Sequence, residues 1–201
     1  MINIIDKGLT FTSKLVTRKK TDKIILHHTV WPGATVEQIH RDAMNNNGWL
    51  GIGYHFYVRY DGSIYQGRPI DTVGAHCSGQ NSTTIGIGFE GDYENTDYNM
   101  SDSQFEAGQQ LIEYIRSKYG ELSIYGHREY YNTVCPGKYF PLDKFKQGGE
   151  QVAKWYDEVM EWAQTEGLIQ GDERGLRPED NMTRAEVVTL IKRVIDKYVN
   201  K

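Results

Sequence analysis

Three side chains far apart in the chain have the types that bind a transition metal. His27 and His28 close the short apolar run Lys23-Ile24-Ile25-Leu26-His27, and His127 stands eight residues before Cys135 in the stretch that ends Cys135-Pro136-Gly137. Two imidazoles and a thiolate suit zinc, because the ion accepts both borderline nitrogen and soft sulfur. Three protein ligands leave the fourth tetrahedral position for water, which marks a catalytic rather than a structural site. On spacing alone a second reading stays open, in which these are core or surface residues with no shared ion. His55 reads as buried and structural, His40 as solvated on a helix, and Cys77 as a small buried residue.

The elements that must position these groups alternate between strand and helix. Residues 23–27 read as a buried strand, with the histidines at its C-terminal end, where α/β sheets place functional groups. Thr35-Val36-Glu37-Gln38 is a capping box that opens a helix toward Asn47-Gly48. Tyr54 to Arg59 reads as a strand, Asp61-Gly62 as a tight turn, and Ser63 to Gln66 as the hairpin partner. Thr84-Ile85-Gly86-Ile87-Gly88-Phe89 is a second buried strand, whose glycines imply that something approaches the backbone closely. Ser101 caps a helix carrying Phe105, Leu111, Ile112, Ile115 and Tyr119 at helical spacing, and Gly120 stops it. This alternation predicts an α/β domain with one central sheet flanked by helices.

Composition narrows the classes. The chain has 201 residues, 23 Lys+Arg against 27 Asp+Glu, and a net charge of −4. That balance offers no general electrostatic trap for nucleic acid or anionic lipid, so neither is an expected partner. A mean hydropathy of −0.62 and the lack of a long apolar run argue against a membrane-embedded chain. The first residues, Met1-Ile2-Asn3-Ile4-Ile5-Asp6-Lys7, do not have the pattern of a secretory signal, so a cytoplasmic start is expected. Two cysteines make no disulfide framework. Gly148-Gly149 marks a change of composition, and the expected domains are 1–148 and 149–201.

Longer motifs carry a resemblance. Leu26-His27-His28-Thr29, the run from Trp49 to Pro69, Gly74-Ala75-His76, Thr84-Ile85-Gly86-Ile87 and the His127 to Gly137 stretch follow one another as in zinc-dependent N-acetylmuramoyl-L-alanine amidases. That family includes phage lysozyme-amidases and peptidoglycan recognition proteins. The resemblance covers about residues 20–145 and implies a mixed central β-sheet flanked by helices. It implies Zn²⁺ as cofactor, held by His27, His127 and Cys135, with His28 facing the opposite side of the strand. Tyr54 matches the tyrosine that assists catalysis, and Thr133 the polar position that stabilises the transition state. Cytosolic recycling members carry a carboxylate where this chain has Gly88, which favours the Tyr54 mechanism. His76 resembles a substrate-groove residue, and Glu90 reads either as a substitute base in the substrate site or as a surface acid. The implied reaction is attack by zinc-activated water on the lactyl carbonyl that joins muramic acid to L-alanine.

The tail reads differently. Val152, Trp155, Tyr156, Val159 and Ala163 form one helical stripe. A loop through Gly167, Gly171, Gly175 and Pro178 leads to a capping box at Thr183 to Glu186 and a second stripe of Val187, Ile191, Val194 and Tyr198. Trp162 to Gly171 and Leu176 to Glu186 resemble part of an S-layer-homology module, which implies binding to a secondary cell-wall polymer through 149–201. The alternative is a small helical appendage that stabilises the first domain or forms a homodimer. Together the resemblances imply a phage or prophage endolysin, cytoplasmic until a holin opens the membrane and then acting on peptidoglycan. Two alternatives are a peptidoglycan-binding protein without activity and a cytosolic amidase recycling muropeptides.

Overall fold

A computed structural model describes residues 2–147, 157–169 and 184–198. Six strands, β1 (Ile4–Ile5), β2 (Lys23–His28), β3 (Phe56–Val58), β4 (Ile64–Gln66), β5 (Thr84–Phe89) and β6 (Ser123–Gly126), form one sheet in the order β1-β4-β3-β5-β2-β6. The β3–β4 hairpin is antiparallel and the other pairs are parallel, so the sheet is mixed. The central strands β2 and β5 are buried along almost their whole length, as continuous apolar runs in a covered parallel sheet must be.

The side-chain period of two sorts the strand residues onto two faces. Ile24 and Leu26 of β2, with Phe56 and Val58 of β3, join the larger core on one face. Helix α2 (Asp102–Tyr119) covers that core with Ala107, Leu111, Ile112 and Ile115, and α3 (Leu142–Lys146) adds Leu142 and Phe145. Tyr57 faces the other way, into a smaller core with Ile52 and with Val36 of α1 (Val36–Asn45). Both helix starts follow the expected chemistry. Thr35 Oγ1 accepts from the Gln38 amide while the Gln38 side chain accepts from the Thr35 amide, and Ser101 Oγ accepts from the Gln104 amide. Gly120 ends α2 at φ 80°, a conformation open to glycine at little cost.

Two strands were not apparent from sequence. β1 has two residues, and β6 is the short, mostly polar Ser-Ile-Tyr-Gly. The strand expected over Tyr54 to Arg59 is shorter, and Tyr54 precedes it.

By its contacts the chain divides into two units, Met1–Gly149 and Glu150–Lys201. The second holds α4 (Asp157–Thr165) and α5 (Arg184–Tyr198). Lys197 and the Tyr198 hydroxyl both reach the Glu166 carboxylate, and Arg193 donates to the Leu168 carbonyl. Ala163 and Leu168 are buried, whereas Val159, Val187, Ile191, Val194 and Tyr198 are exposed or nearly so. Val152, Trp155, Tyr156, Gly171, Gly175, Pro178 and the Thr183 cap lie outside the described residues. Among the described residues no helix is long and apolar enough to cross a membrane.

Candidate metal centre

The parallel register makes the convergence of His27, His127 and Cys135. Leu26 of β2 pairs with Gly126 of β6, so the next residues along both strands, His27 and His127, emerge side by side. Their rings lie 4.5 Å apart between centroids. A short 3₁₀ turn over His127–Glu129 then carries the chain into the loop that returns Cys135 to the same point. Arg128 pins that loop, its amide donating to the Cys135 carbonyl and its guanidinium to the Gly137 carbonyl.

Ligand atoms of His27, His127 and Cys135 all lie within 4.8 Å of one another, and His27 Nδ1 stands 3.7 Å from Cys135 Sγ. A tetrahedral zinc with ordinary bond lengths separates its nitrogen and sulfur ligands by about 3.3–3.6 Å. The His27–Cys135 separation is near that value, and the whole set lies close enough to share one ion. His127 Nε2 is buried and has no hydrogen-bond partner among the described residues, an unmet requirement that a metal would satisfy. Burial, reinforced by the neighbouring His76, His127 and His28, holds the His27 imidazole well below its ordinary value, and burial lowers His127 too. Both rings therefore keep the neutral form that ligates metal. Burial pushes the Cys135 thiol up to about 12, so thiolate there calls for a cation beside it. The donor set thus fits a zinc ion.

His28 behaves as its strand position requires. It faces the larger core, where its Nδ1 accepts from the Tyr93 amide. Tyr54 packs beside His27, ring centroids 5.1 Å apart, and burial pushes its phenol above its ordinary range. It lies against Gly88, where an added Cβ would come within 2.7 Å of the ring. That glycine is the slot for the tyrosine. Thr133 sits two residues before the cysteine, partly exposed, with its Oγ1 accepting from the Cys135 amide at 3.2 Å. An oxygen that accepts this bond still has its own proton to donate.

Two candidate residues lie elsewhere than expected. Glu90 is not a surface acid. Strand β5 ends at Phe89, and the Glu90 carboxylate is buried, accepting from Arg59 Nε (3.0 Å), the Gly33 amide (2.7 Å) and the Tyr60 amide (3.1 Å). It ties three segments together. His76 does not line an open groove: it is buried, with its Nδ1 3.0 Å from His27 Nε2. Its ring fills the space left by Gly74 and Gly86, where an added Cβ would meet it at 2.5 and 2.4 Å. The two strand glycines therefore do serve close approach, each by one ring.

His55 and Cys77 are buried as expected, His55 accepting from the Gly86 amide at Nδ1 and meeting the Thr72 carbonyl at Nε2. His40 is buried rather than solvated, bridging the Ile52 amide and the Thr10 carbonyl. Sequence reasoning missed Tyr131, which stacks on His127 with the rings 20° from parallel. Its place four residues beyond His127 was the available signal.

The comparisons agree with this geometry. A family model described as N-acetylmuramoyl-L-alanine amidase matches residues 17–138, and one described as S-layer homology domain matches 149–188. Peptidoglycan-recognition protein SC2 of Drosophila melanogaster is 32% identical over 151 residues, spanning 68% of this chain and 81% of that protein. The endolysin of Enterobacteria phage K11 is 32% identical over 120 residues, 58% of this chain and 76% of that protein. Among solved structures, N-acetylmuramoyl-L-alanine amidase LysC from Clostridium intestinale superposes with a TM-score of 0.69 at 33% identity, over 75% of this chain and 100% of that one.

Proposed function

Because this chain belongs to the N-acetylmuramoyl-L-alanine amidase family, we propose that it cleaves the bond between N-acetylmuramic acid and L-alanine in peptidoglycan, with Zn²⁺ held by His27, His127 and Cys135. The observation that carries this reading is the meeting of two neutral imidazoles and a thiol, with one imidazole nitrogen left unpartnered. Bound there, zinc supplies Lewis-acid polarisation and a water acidified toward neutrality.

The remaining steps belong to the chain's own groups. Tyr54, kept protonated by burial, orients the attacking water through its hydroxyl and hands a proton to the leaving nitrogen of L-alanine. The Thr133 hydroxyl donates to the oxygen that becomes negative as the carbonyl is attacked. Water adds its oxygen to the lactyl carbon as the C–N bond breaks; one water proton replaces the one Tyr54 gave up, so both end on the nitrogen, and the products are a muramic carboxylate and an ammonium terminus on L-alanine. Gly88 offers no carboxylate, which favours Tyr54 as the proton-transfer group.

The biological setting that the relatives favour is a phage or prophage endolysin. In that reading the protein stays cytoplasmic until a holin opens the membrane, and residues 149–201 hold a secondary cell-wall polymer. Kinship with a peptidoglycan-recognition protein favours a second reading, binding without hydrolysis. Mass spectrometry of digested walls separates the two. New L-alanine amino termini and intact glycan support the amidase, and walls left uncut sink it. Removal of residues 150–201 should lower sedimentation with isolated walls; unchanged pelleting counts against the polymer-binding tail.

A further inference from the structure

We infer that His76 is a positioning residue that fixes the tautomer of the metal ligand His27, its own orientation set by Thr84. The inference rests on the zinc reading above and deepens it.

The proton directions follow from one carbonyl. Thr84 Oγ1 lies 2.9 Å from the Gln80 carbonyl oxygen, which can only accept, so the single hydroxyl proton points there. Toward His76 Nε2, 3.2 Å away, the same oxygen must therefore accept, and the proton between them sits on His76 Nε2. A neutral imidazole with Nε2 protonated has a bare Nδ1. His76 Nδ1 is the atom 3.0 Å from His27 Nε2, so that contact is a hydrogen bond donated by His27. His27 then has its free lone pair on Nδ1, the nitrogen facing Cys135 Sγ. Each link leaves one choice for the next.

The surroundings hold the chain in place. The His76 amide donates to the Asn81 side chain, and the ring is wedged between Gly74 and Gly86, with no room for a side chain at either. His55, the imidazole behind it, is occupied by the Gly86 amide and the Thr72 carbonyl and has no proton to offer His76. Metal-bound histidines commonly donate their second N–H to an oxygen, and removal of that acceptor weakens metal binding by about 10–100-fold. Here an imidazole serves instead, and an imidazole accepts at Nδ1 only while Nε2 is protonated. Thr84 supplies that condition.

Leucine and asparagine have the same branched outline, but asparagine places an oxygen near the position of His76 Nδ1. Each full-length variant is loaded with Zn²⁺, and the metal is withdrawn with a competing chelator to give a dissociation constant. The expected result is zinc binding weaker by about 10–100-fold in His76→Leu, with His76→Asn within about threefold of wild type. The visible absorption of the Co²⁺-loaded protein should change in His76→Leu and stay near wild type in His76→Asn. Thr84→Val should weaken zinc binding while Thr84→Ser retains it. Equal losses in Leu and Asn, or none in Leu, overturn the inference. If the His76 variants do not fold, the Thr84 pair decides, and equal affinity in Val and Ser overturns it. A wild-type chain that takes up no zinc removes the metal reading as well. A wild type that binds zinc while Leu and Asn behave alike removes this inference alone.

Discussion

Adding one methyl group to β5 should disable Tyr54 without touching His27, His127 or Cys135. In Gly88→Ala the new Cβ would lie 2.7, 2.9 and 3.1 Å from three atoms of the Tyr54 ring, where ordinary contact begins near 3.4 Å. The strand backbone cannot yield, because Gly88 pairs with His27 on one side and Tyr57 on the other. The ring must therefore move by about 0.7 Å or more, and a displacement near 1 Å of a reacting group can cost about 100-fold in rate. Overpacking should also lower stability by about 1–3 kcal/mol. Turnover on purified walls, followed by the release of amino termini, reads the first effect, and thermal unfolding reads the second. Zinc content should not change. The decisive comparison is a double-mutant cycle with Tyr54→Phe. If Gly88 acts by seating the phenol, Gly88→Ala should cost little once the hydroxyl is gone. Full additivity of the two losses would refute the reasoning, because the methyl group would then be acting through something other than Tyr54.

Three further outcomes follow from the same geometry. Thr133→Val should lower kcat by about 100–1000-fold with little change in KM or zinc content, as loss of one oxyanion donor does; steady-state kinetics on a soluble muropeptide checks it. Glu90→Ala leaves the partly exposed Arg59 and the Gly33 and Tyr60 amides without their acceptor, so stability should fall by about 2–4 kcal/mol in urea unfolding. Activity per folded molecule should remain, whereas a catalytic base would take activity with it. Burial holds the His55 imidazole down at about 3, while the unfolded chain protonates it near 6.5. Between those values the unfolded state binds the extra proton, so stability is fully present above about pH 6.5 and is lost as pH falls. From pH 6.5 to 4.5 that one ring accounts for about 2–3 kcal/mol. A His55 ring that titrates near 6.5 by NMR in the folded protein would contradict it.

Fold and site were legible to different depths, for physical reasons. β2, β5, α1 and α2 announce themselves because buried parallel strands need unbroken apolar runs and helix starts need caps. β6 is four residues long with one large aliphatic, Ile124, and its existence follows from pairing with β2 rather than from its own pattern. The three side chains that cluster could be named because His27 ends an evident strand and the His127 to Gly137 stretch matches a long motif. The orientations of Glu90 and His76 could not, since both depend on where β5 ends and on which ring fills each glycine gap. His40 was misjudged for a related reason: a helix that docks on a second, smaller core buries polar positions that periodicity assigns to solvent.

The two glycines of β5 link these findings. Strand residues two apart share a face, so Gly86 and Gly88 open adjacent gaps on the face that His27 occupies. His76 fills one gap and Tyr54 the other, and both rings then touch His27. His76 meets the Nε2 of His27, and Tyr54 packs against the same ring. A carboxylate in place of Gly88 would take the space the phenol now occupies. Tyr54 in its present place and a carboxylate side chain at position 88 therefore compete for the same space. Gly88→Glu should eject the Tyr54 ring rather than add a second proton donor. If that variant exceeds wild-type turnover while a crystal structure shows Tyr54 in place, the exclusion is wrong.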